Sequence, residues 1–525
     1  MAIFFEKKDR HVIPNWRTFE NTTYLGELNA SKSIDLNTSF KPDIDDLLED
    51  WKYYKNMGVA ADLLGVATIC NQKNNPIIQE ISDFVLNQKN NSTPALINVA
   101  FSIKNNEDSE KTSMFELDSI ENFMLRNLGV LFQKINHLKK KIINNPYNPI
   151  AWVELARLYT INGQDNKAEA AIKNALFLAP ENRFVLRSMA RFFARIGDFE
   201  FAHDHIRKSS LVHSDPWVIA TEIALADIRG RNSKFAKLGI DLIQSDSFHP
   251  FNICELSSSI ATLEMKNSKI KSSKKFFEKS LIHPNDNALA QAKWASQENN
   301  NLLLINPTQI NVKNSYEALA NNEAECKEWE KAIEYSKKWF LDLPFSKRSI
   351  LFGNNIALCK LKNHKQAIDI AKLGLISHPR DPQLLNNIAY SLCLDNQLIE
   401  AENTLNEAKQ TEYDSHNELN LICLIATRGL LHFRKKENDC GRKLYLKALE
   451  MTKSVNNYYL NSLALVNYVR EEIYAKEIDV SAFIPQLHEI KKKYEGKDIA
   501  DLVDETIKIY NTTKLDSETS FIYNK

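Results

Sequence analysis

The chain has 525 residues, 67 Lys plus Arg against 67 Asp plus Glu, and only 13 glycines. Balanced charge leaves no global field to recruit nucleic acid or an anionic lipid surface, and no Gly-x-Gly-x-x-Gly or Gly-x4-Gly-Lys-Ser/Thr string is present to cradle a nucleotide. A single compact core stops growing at about 250–300 residues, so several domains or a repeat array are expected.

Residues 1–40 lack helical periodicity, and Pro14 pushes Ile13 toward an extended backbone. Their aromatic residues Phe4, Phe5, Trp16, Phe19 and Tyr24 are too many for a solvated tail. An extended N-terminal arm that packs on its own chain or on a partner is therefore expected. Residues 41–145 form a helical region. Asp43, Asp45 and Asp46 suit a first helical turn, with Leu47, Leu48, Trp51, Tyr54 and Val59 as its apolar face. A second helix starts at Pro76 with Ile77, Ile78, Ile81 and Val85, and a long one runs from about Ser119 to Ile143.

Within this region Ala61-x3-Gly65-Val66 faintly resembles the turn of a helix-turn-helix DNA reader. The following positions depart from that pattern, and residues 41–100 hold five Lys against eight Asp or Glu, so phosphate is repelled and nucleic acid is disfavoured. The longest apolar stretch, Met57 to Cys70, has 14 residues and contains Asp62, too short for a membrane span. With no signal-peptide pattern at the start, a cytoplasmic location and no membrane partner are expected.

A repeating pattern begins after Pro146. Trp152, Leu155, Ala156 and Tyr159 fall on one helical face, Gly163 permits a left-handed turn, Ala168, Ile172 and Ala175 form a second face, and Pro180 ends the hairpin. Leu186, Met189, Ala190, Phe193, Gly197, Ala202 and Ile206 repeat it one period on. Looser copies follow in Ile223, Ala224, Ala236 and Ile240, then in Ile260, Ala261, Phe277 and His283. The pattern breaks at Gln297–Asn301 and resumes with Tyr316, Leu319, Ala320, Ala332, Trp339 and Pro344. It continues through Leu351, Leu358, Ala367, Ala371 and Pro379 to Leu385, Ile388, Ala389, Leu392, Ala401, Leu405 and Ala408, and then to Ile425, Gly429, Tyr445 and Ala448.

This pattern resembles the tetratricopeptide repeat (TPR) family, whose unit is a helical hairpin of about 34 residues. The LNNIAYSL string at residues 385–392 resembles bacterial members of it. The resemblance covers roughly residues 146–451 and implies an all-α fold, a TPR superhelical solenoid with atypical helical caps. Residues 146–298 form block 1, 299–312 a polar connection and 313–451 block 2. Residues 456–512 are expected as C-terminal capping helices and 513–525 as a polar, disordered tail.

A family built to hold other proteins implies a non-enzymatic scaffold or adaptor that grips a partner segment in its concave groove. The alternative is a sensor or regulatory subunit of a prokaryotic stress or defence complex, with the arm docking an enzymatic partner. Arg183, Arg187, Arg191 and Arg195 form an i, i+4 ladder, and the resemblance places Arg187 and Arg191, with Arg157 one repeat earlier, on the groove wall. Four such arginines repel one another, so an acidic counterpart is favoured, and an acidic or carboxylate-bearing partner segment is expected. The carboxylate clamp of chaperone-binding members is not reproduced, since Val153 and Ser188 stand where Lys and Asn are required. In block 2 Asn387 matches a place from which TPR arrays hydrogen-bond a ligand backbone, with Asn386 and Tyr390 beside it.

No metal or cofactor is expected. His203-x-His205 places two rings on different sides of a helix, and Arg207-x5-His213 fits a short nuclease pattern only across the end of a repeat helix. The seven cysteines are odd in number, without a Cys-x2-Cys pair, and are expected as buried reduced thiols.

Overall fold

The computed structural model describes residues 10–19, 44–69, 75–88, 92, 94–104, 120–245, 247–299, 302–310, 312–415, 418–496 and 498–523. Phe4, Phe5, Tyr24, Asp43, Cys70 and Ser119 lie outside them. Among the described residues every regular element is a helix. Residues 10–160 with 164–318 form one compact unit, and residues 161–163 with 319–525 form another.

In the first unit, helices α1 (Ile44–Tyr53), α2 (Met57–Ile69), α3 (Pro76–Asn87) and α4 (Pro94–Lys104) enclose a small core. Trp51, Leu63, Leu64, Ile78, Ile81 and Val85 fill it, and Phe84 stands edge-on to Trp51 at 5.1 Å. The apolar string from Leu47 to Val59 is divided between α1 and α2. Asn56 accepts a 3.0 Å bond from the Val59 amide, starting a new helix, and Tyr54 is exposed in the break. Helix α2 runs unbroken through Ala61–Val66, so no helix-turn-helix turn forms there.

A long α5 (Ile120–Asn144) leads into the hairpins: α6 (Pro149–Ile161) with α7 (Asp165–Leu178), α8 (Arg183–Ile196) with α9 (Phe199–Lys208), α10 (Pro216–Ile228) with α11 (Ala236–Gln244), and α12 (Pro250–Lys266) with α13 (Ile270–Ser280). Helix α14 (Asp286–Glu298) follows without a second partner helix of its own. The stretch read as a polar connection carries apolar anchors: Leu302 is buried in the core of the last hairpins, and Ile305, Ile310 and Val312 pack against Leu289, Ala290 and Ala318.

The second unit takes up α15 (Tyr316–Glu325) from Leu319 onward. It continues with α16 (Trp329–Asp342), α17 (Lys347–Asn355), which passes into a π-turn at Ile356–Lys360, and α18 (His364–Gly374). Two more hairpins follow, α19 (Pro382–Leu394) with α20 (Leu398–Ser415) and α21 (Glu418–Arg434) with α22 (Asn438–Ser454), and then α23 (Tyr458–Ala475), α24 (Ile484–Lys493) and α25 (Asp498–Tyr523). The region expected as C-terminal capping helices breaks between α24 and α25 at Gly496, whose φ is +76°. The stretch 513–523 read as a tail continues α25. That helix is tied back by Lys360 to Asp498 at 2.8 Å and Asp501 at 2.7 Å, and by Lys362 to Glu505 at 2.7 Å.

Two local devices repeat with the hairpins. First helices open on a side chain that accepts from their free amides: Asn148, Asn182, Asp215, His249, Asn285 and Asp381. Pro149, Pro216, Pro250 and Pro382 follow four of these caps, where a missing N–H costs nothing. The turn to each second helix is left-handed, at Gly163, Gly197, Gly230, Ser268, Lys327, Lys362, Asn396 and Lys436. Helices α21 and α22 meet at two glycines. A Cβ on Gly429 would lie 2.9 Å from the Tyr445 ring, and one on Gly441 would lie 2.6 Å from the Phe433 ring.

A Cβ at Gly197 would meet nothing within 4 Å, yet φ there is +86°. Gly197→Ala is therefore expected to cost about 1 kcal/mol through the backbone alone. Lys436→Gly, at φ +64°, should gain up to about 1 kcal/mol for the same reason. Thermal unfolding of the two variants checks the pair, and a neutral Gly197→Ala would refute the account of the turn.

Candidate functional site

The first helices of successive hairpins, α6, α8, α10, α12 and α14 with the start of α15, present one face of the first unit, and the segment Arg10–Phe19 lies on it. Its path opposes the repeat order, since Arg10 meets α14 and α15 while Phe19 meets α6 and α8. Arg10–Thr18 forms no helix and makes a tight turn in which the Ile13 amide donates to the His11 carbonyl at 2.8 Å, and Val12, Ile13 and Trp16 are buried. Trp16 is the anchor: it is 1% exposed and stands edge-on to Phe192 at 6.4 Å. Phe19 meets Phe184 in the same way at 5.1 Å.

Polar contacts hold both the side chains and the main chain of this segment. Arg10 forks onto Glu317 at 2.8 and 3.0 Å and also donates to Gln291 at 2.7 Å and Asn287 at 2.9 Å. Arg17 donates to the two oxygens of Asp286 at 3.3 and 2.9 Å, and Asn15 donates to the same carboxylate at 2.5 Å. His11 lies 3.1 Å from Asp227. Burial alone would raise the Asp227 carboxyl, but hydrogen bonds from His11 and Lys266 and the charges of both outweigh it and hold it below its usual value. Gln291 donates to the Arg10 carbonyl at 3.0 Å and Asn287 to the Ile13 carbonyl at 3.1 Å, while Glu154 accepts from the Phe19 amide at 2.6 Å.

The arginine ladder adjoins this site and finds its acidic counterpart within the chain. Arg187 is buried and grips Glu255 through two bonds of 2.9 and 3.2 Å, with its guanidinium 4.6 Å from the Trp217 ring centre. Glu255 Oε1 also accepts from Asn285 at 2.8 Å and from Asn287 at 3.1 Å. Arg183 pairs with Asp215, Arg195 with Asp165, and Arg157 lies 3.5 Å from Glu154. Arg191 is half-buried on the same helix. Four-residue steps drift around a helix, so the ladder reaches different neighbours along its length. Arg183, Arg187 and Arg195 already have carboxylates of their own, so the mutual repulsion from which an acidic partner was expected is met within the chain.

In the second unit, Asn386, Asn387 and Tyr390 are buried within a polar seam between helices. Asn386 accepts from Thr427 at 2.8 Å, Asn387 donates to Asn354 at 2.9 Å, and Tyr390 donates to Asn467 at 3.0 Å. These bonds join α19 to its neighbouring first helices α17, α21 and α23. His203 lies 3.0 Å from Glu222 and 3.0 Å from an Arg229 nitrogen, both on or beside α10. Among the described residues no three His, Cys, Asp or Glu side chains gather to hold a metal ion. Of the described cysteines, Cys254, Cys393 and Cys423 are buried and Cys359 is half-buried, while Cys326 and Cys440 are exposed, which the expectation of buried thiols did not include.

The sequence reading missed Asp286, Asn287, Gln291, Glu255 and Glu317. One signal was available, since Glu255 stands between Cys254 and Leu256 in a helix with no other charged residue before Glu264. Helix α14 sits where the apolar pattern fades, which hid Asn287 and Gln291.

Helical hairpins recurring about every 34 residues, with capped first helices and left-handed turns, make this a solenoid of the TPR type. No family model and no curated protein matches the chain. Among solved structures it is similar to human IFIT1, as a dimer with PPP-AAAA, at 16% identity over 74% of this chain and 94% of that one, with a TM-score of 0.36. It is also similar to a chain of the APC/C hetero-tetramer Cut9-Hcn1, at 14% identity over 93% and 96% with a TM-score of 0.42. Yeast Tom70 is similar at 12% identity over 76% and 94%, with a TM-score of 0.31. The repeats themselves define the class. Among the described residues no helix is long and apolar enough to cross a membrane.

Because Arg187 and Glu255 form a buried pair, Arg187→Ala is expected to cost about 3–5 kcal/mol. Lys173→Ala, which breaks the exposed pair with Glu169, should stay within about 1 kcal/mol. Denaturant unfolding compares the two, and a surface-like value for Arg187 would contradict its placement. Asn387→Ala leaves buried Asn354 short of a donor and should cost about 1–3 kcal/mol by the same measurement.

Proposed function

We propose that the protein is a scaffold without chemistry of its own, which holds a non-helical segment of a partner protein on the first-helix face of its first unit. The observation that carries this reading is the seating of Arg10–Phe19, with buried side-chain amides donating to main-chain carbonyls of a non-helical segment. A helical array that grips a backbone in this way can accept a peptide from outside by the same bonds, and pockets such as that of Trp16 add side-chain selectivity. The polar groups along the face are engaged in ion pairs and amide bonds, an arrangement suited to holding a chain.

Affinity purification from cells that make the protein natively tests this reading. A protein partner in near-stoichiometric amount should be recovered with the natural chain and lost with the Asn287→Ala, Gln291→Ala double variant of unchanged helicity. Full recovery by a well-folded double variant would contradict the assignment of the face.

A further inference from the structure

The scaffold reading leaves open which chemistry the face selects, and the arm answers it, on the condition that this reading holds. Each basic side chain of Arg10–Arg17 meets a carboxylate of the face: Arg10 meets Glu317, His11 meets Asp227 and Arg17 meets Asp286. Between these ion pairs Val12, Ile13 and Trp16 are buried, with Trp16 against α8. The arginines that would attract an acidic ligand are turned to internal partners, Arg187 to Glu255 and Arg183 to Asp215. The face therefore offers Asp286 and Glu317, with Asp227 shared with Lys266, around an apolar and aromatic floor.

Asn287 and Gln291 sharpen the point. Both are almost completely buried with the arm in place, and both donate to arm carbonyls. Without an occupant they lose those acceptors and turn to water, so an occupant meets the face by supplying main-chain carbonyls at these two places. The face is thus built to be filled by a non-helical chain.

We infer that the face is a recognition site for a non-helical basic segment with an aromatic anchor, and that Arg10–Phe19 is its tethered occupant. The partner carries the chemistry of the arm, a basic residue followed by β-branched residues, then an aromatic residue with a second basic residue next to it. It binds by displacing the arm. A tethered competitor acts at an effective concentration on the order of mM, so it suppresses weak ligands and admits only a segment that binds better than the arm or one delivered by a second contact.

The test uses a fluorescent peptide with the sequence of residues 9–20 and three proteins: the full chain, a chain beginning at Glu20, and the full chain with Arg10→Glu and Arg17→Glu. The shortened chain should bind the peptide saturably, the full chain at least about ten-fold more weakly, and the charge-reversed chain at an intermediate level. A peptide with Glu at both arginine positions should bind none of them. If the shortened chain does not fold, the charge-reversed chain carries the test, and peptide binding no stronger than that of the full chain overturns the proposal. Equal affinity for the full and shortened chains also overturns it, as does a folded shortened chain that ignores the peptide. A dimer formed by exchange of arms between copies, seen by light scattering, overturns the assignment to a partner and gives the face to a second copy. A chain that keeps its native partner through Asn287 and Gln291 but ignores the basic peptide removes this inference and leaves the scaffold reading standing.

Discussion

Asn287 joins three parts of the first unit through one amide. Its oxygen accepts from Arg10, and its nitrogen donates to the Ile13 carbonyl and to Glu255, which in turn holds Arg187. In a buried site each of these bonds is strengthened by its surroundings, and leaving one unmade is costly. The arm, the start of α14 and the arginine ladder of α8 are therefore ordered together, although they lie far apart in sequence. The arrangement converts a stack of hairpins into a face with a defined occupant.

This coupling also explains why charge counting misleads here. The chain is neutral overall, and the ladder Arg183–Arg195 reads as a basic stripe when the helix is considered alone. Its partners Asp215, Glu255 and Asp165 come from neighbouring hairpins. With Arg183, Arg187 and Arg195 paired internally, the carboxylates that meet the arm are Asp286, Glu317 and Asp227, the last shared with Lys266. The same internal closure governs the second unit, where Asn386, Asn387 and Tyr390 bind other helices of that unit.

The hairpins were legible because the determinants of a repeat are local. Trp152 to Pro180 carries its apolar faces, its turn glycine and its stop within one unit, and its copy at Leu186–Ile206 has the same spacing. The later turns escaped notice because Ser268, Lys327, Lys362 and Lys436 adopt the left-handed conformation without being glycine, so no residue type marked them. The breaks at Tyr54 and Gly496 have local marks that the apolar pattern did not use, the Asn56 cap and the glycine itself, and residues 513–523 continue a helix whose start is held by ion pairs to Lys360 and Lys362. The site was legible only in part. The arm was recognisable from its aromatic residues and from Pro14, but its acceptors lie 135–307 positions away, beyond the reach of any periodicity.

Hydrogen exchange at the Ile13 and Phe19 amides of the full chain tests the central claim most directly. Ile13 donates within the arm to His11 and Phe19 donates to Glu154. If the arm is seated as described, both amides exchange slowly in the natural chain and speed up in an Asn287→Ala variant, while amides within α6 and α8 stay protected. Free exchange at both positions in the natural chain would contradict the account.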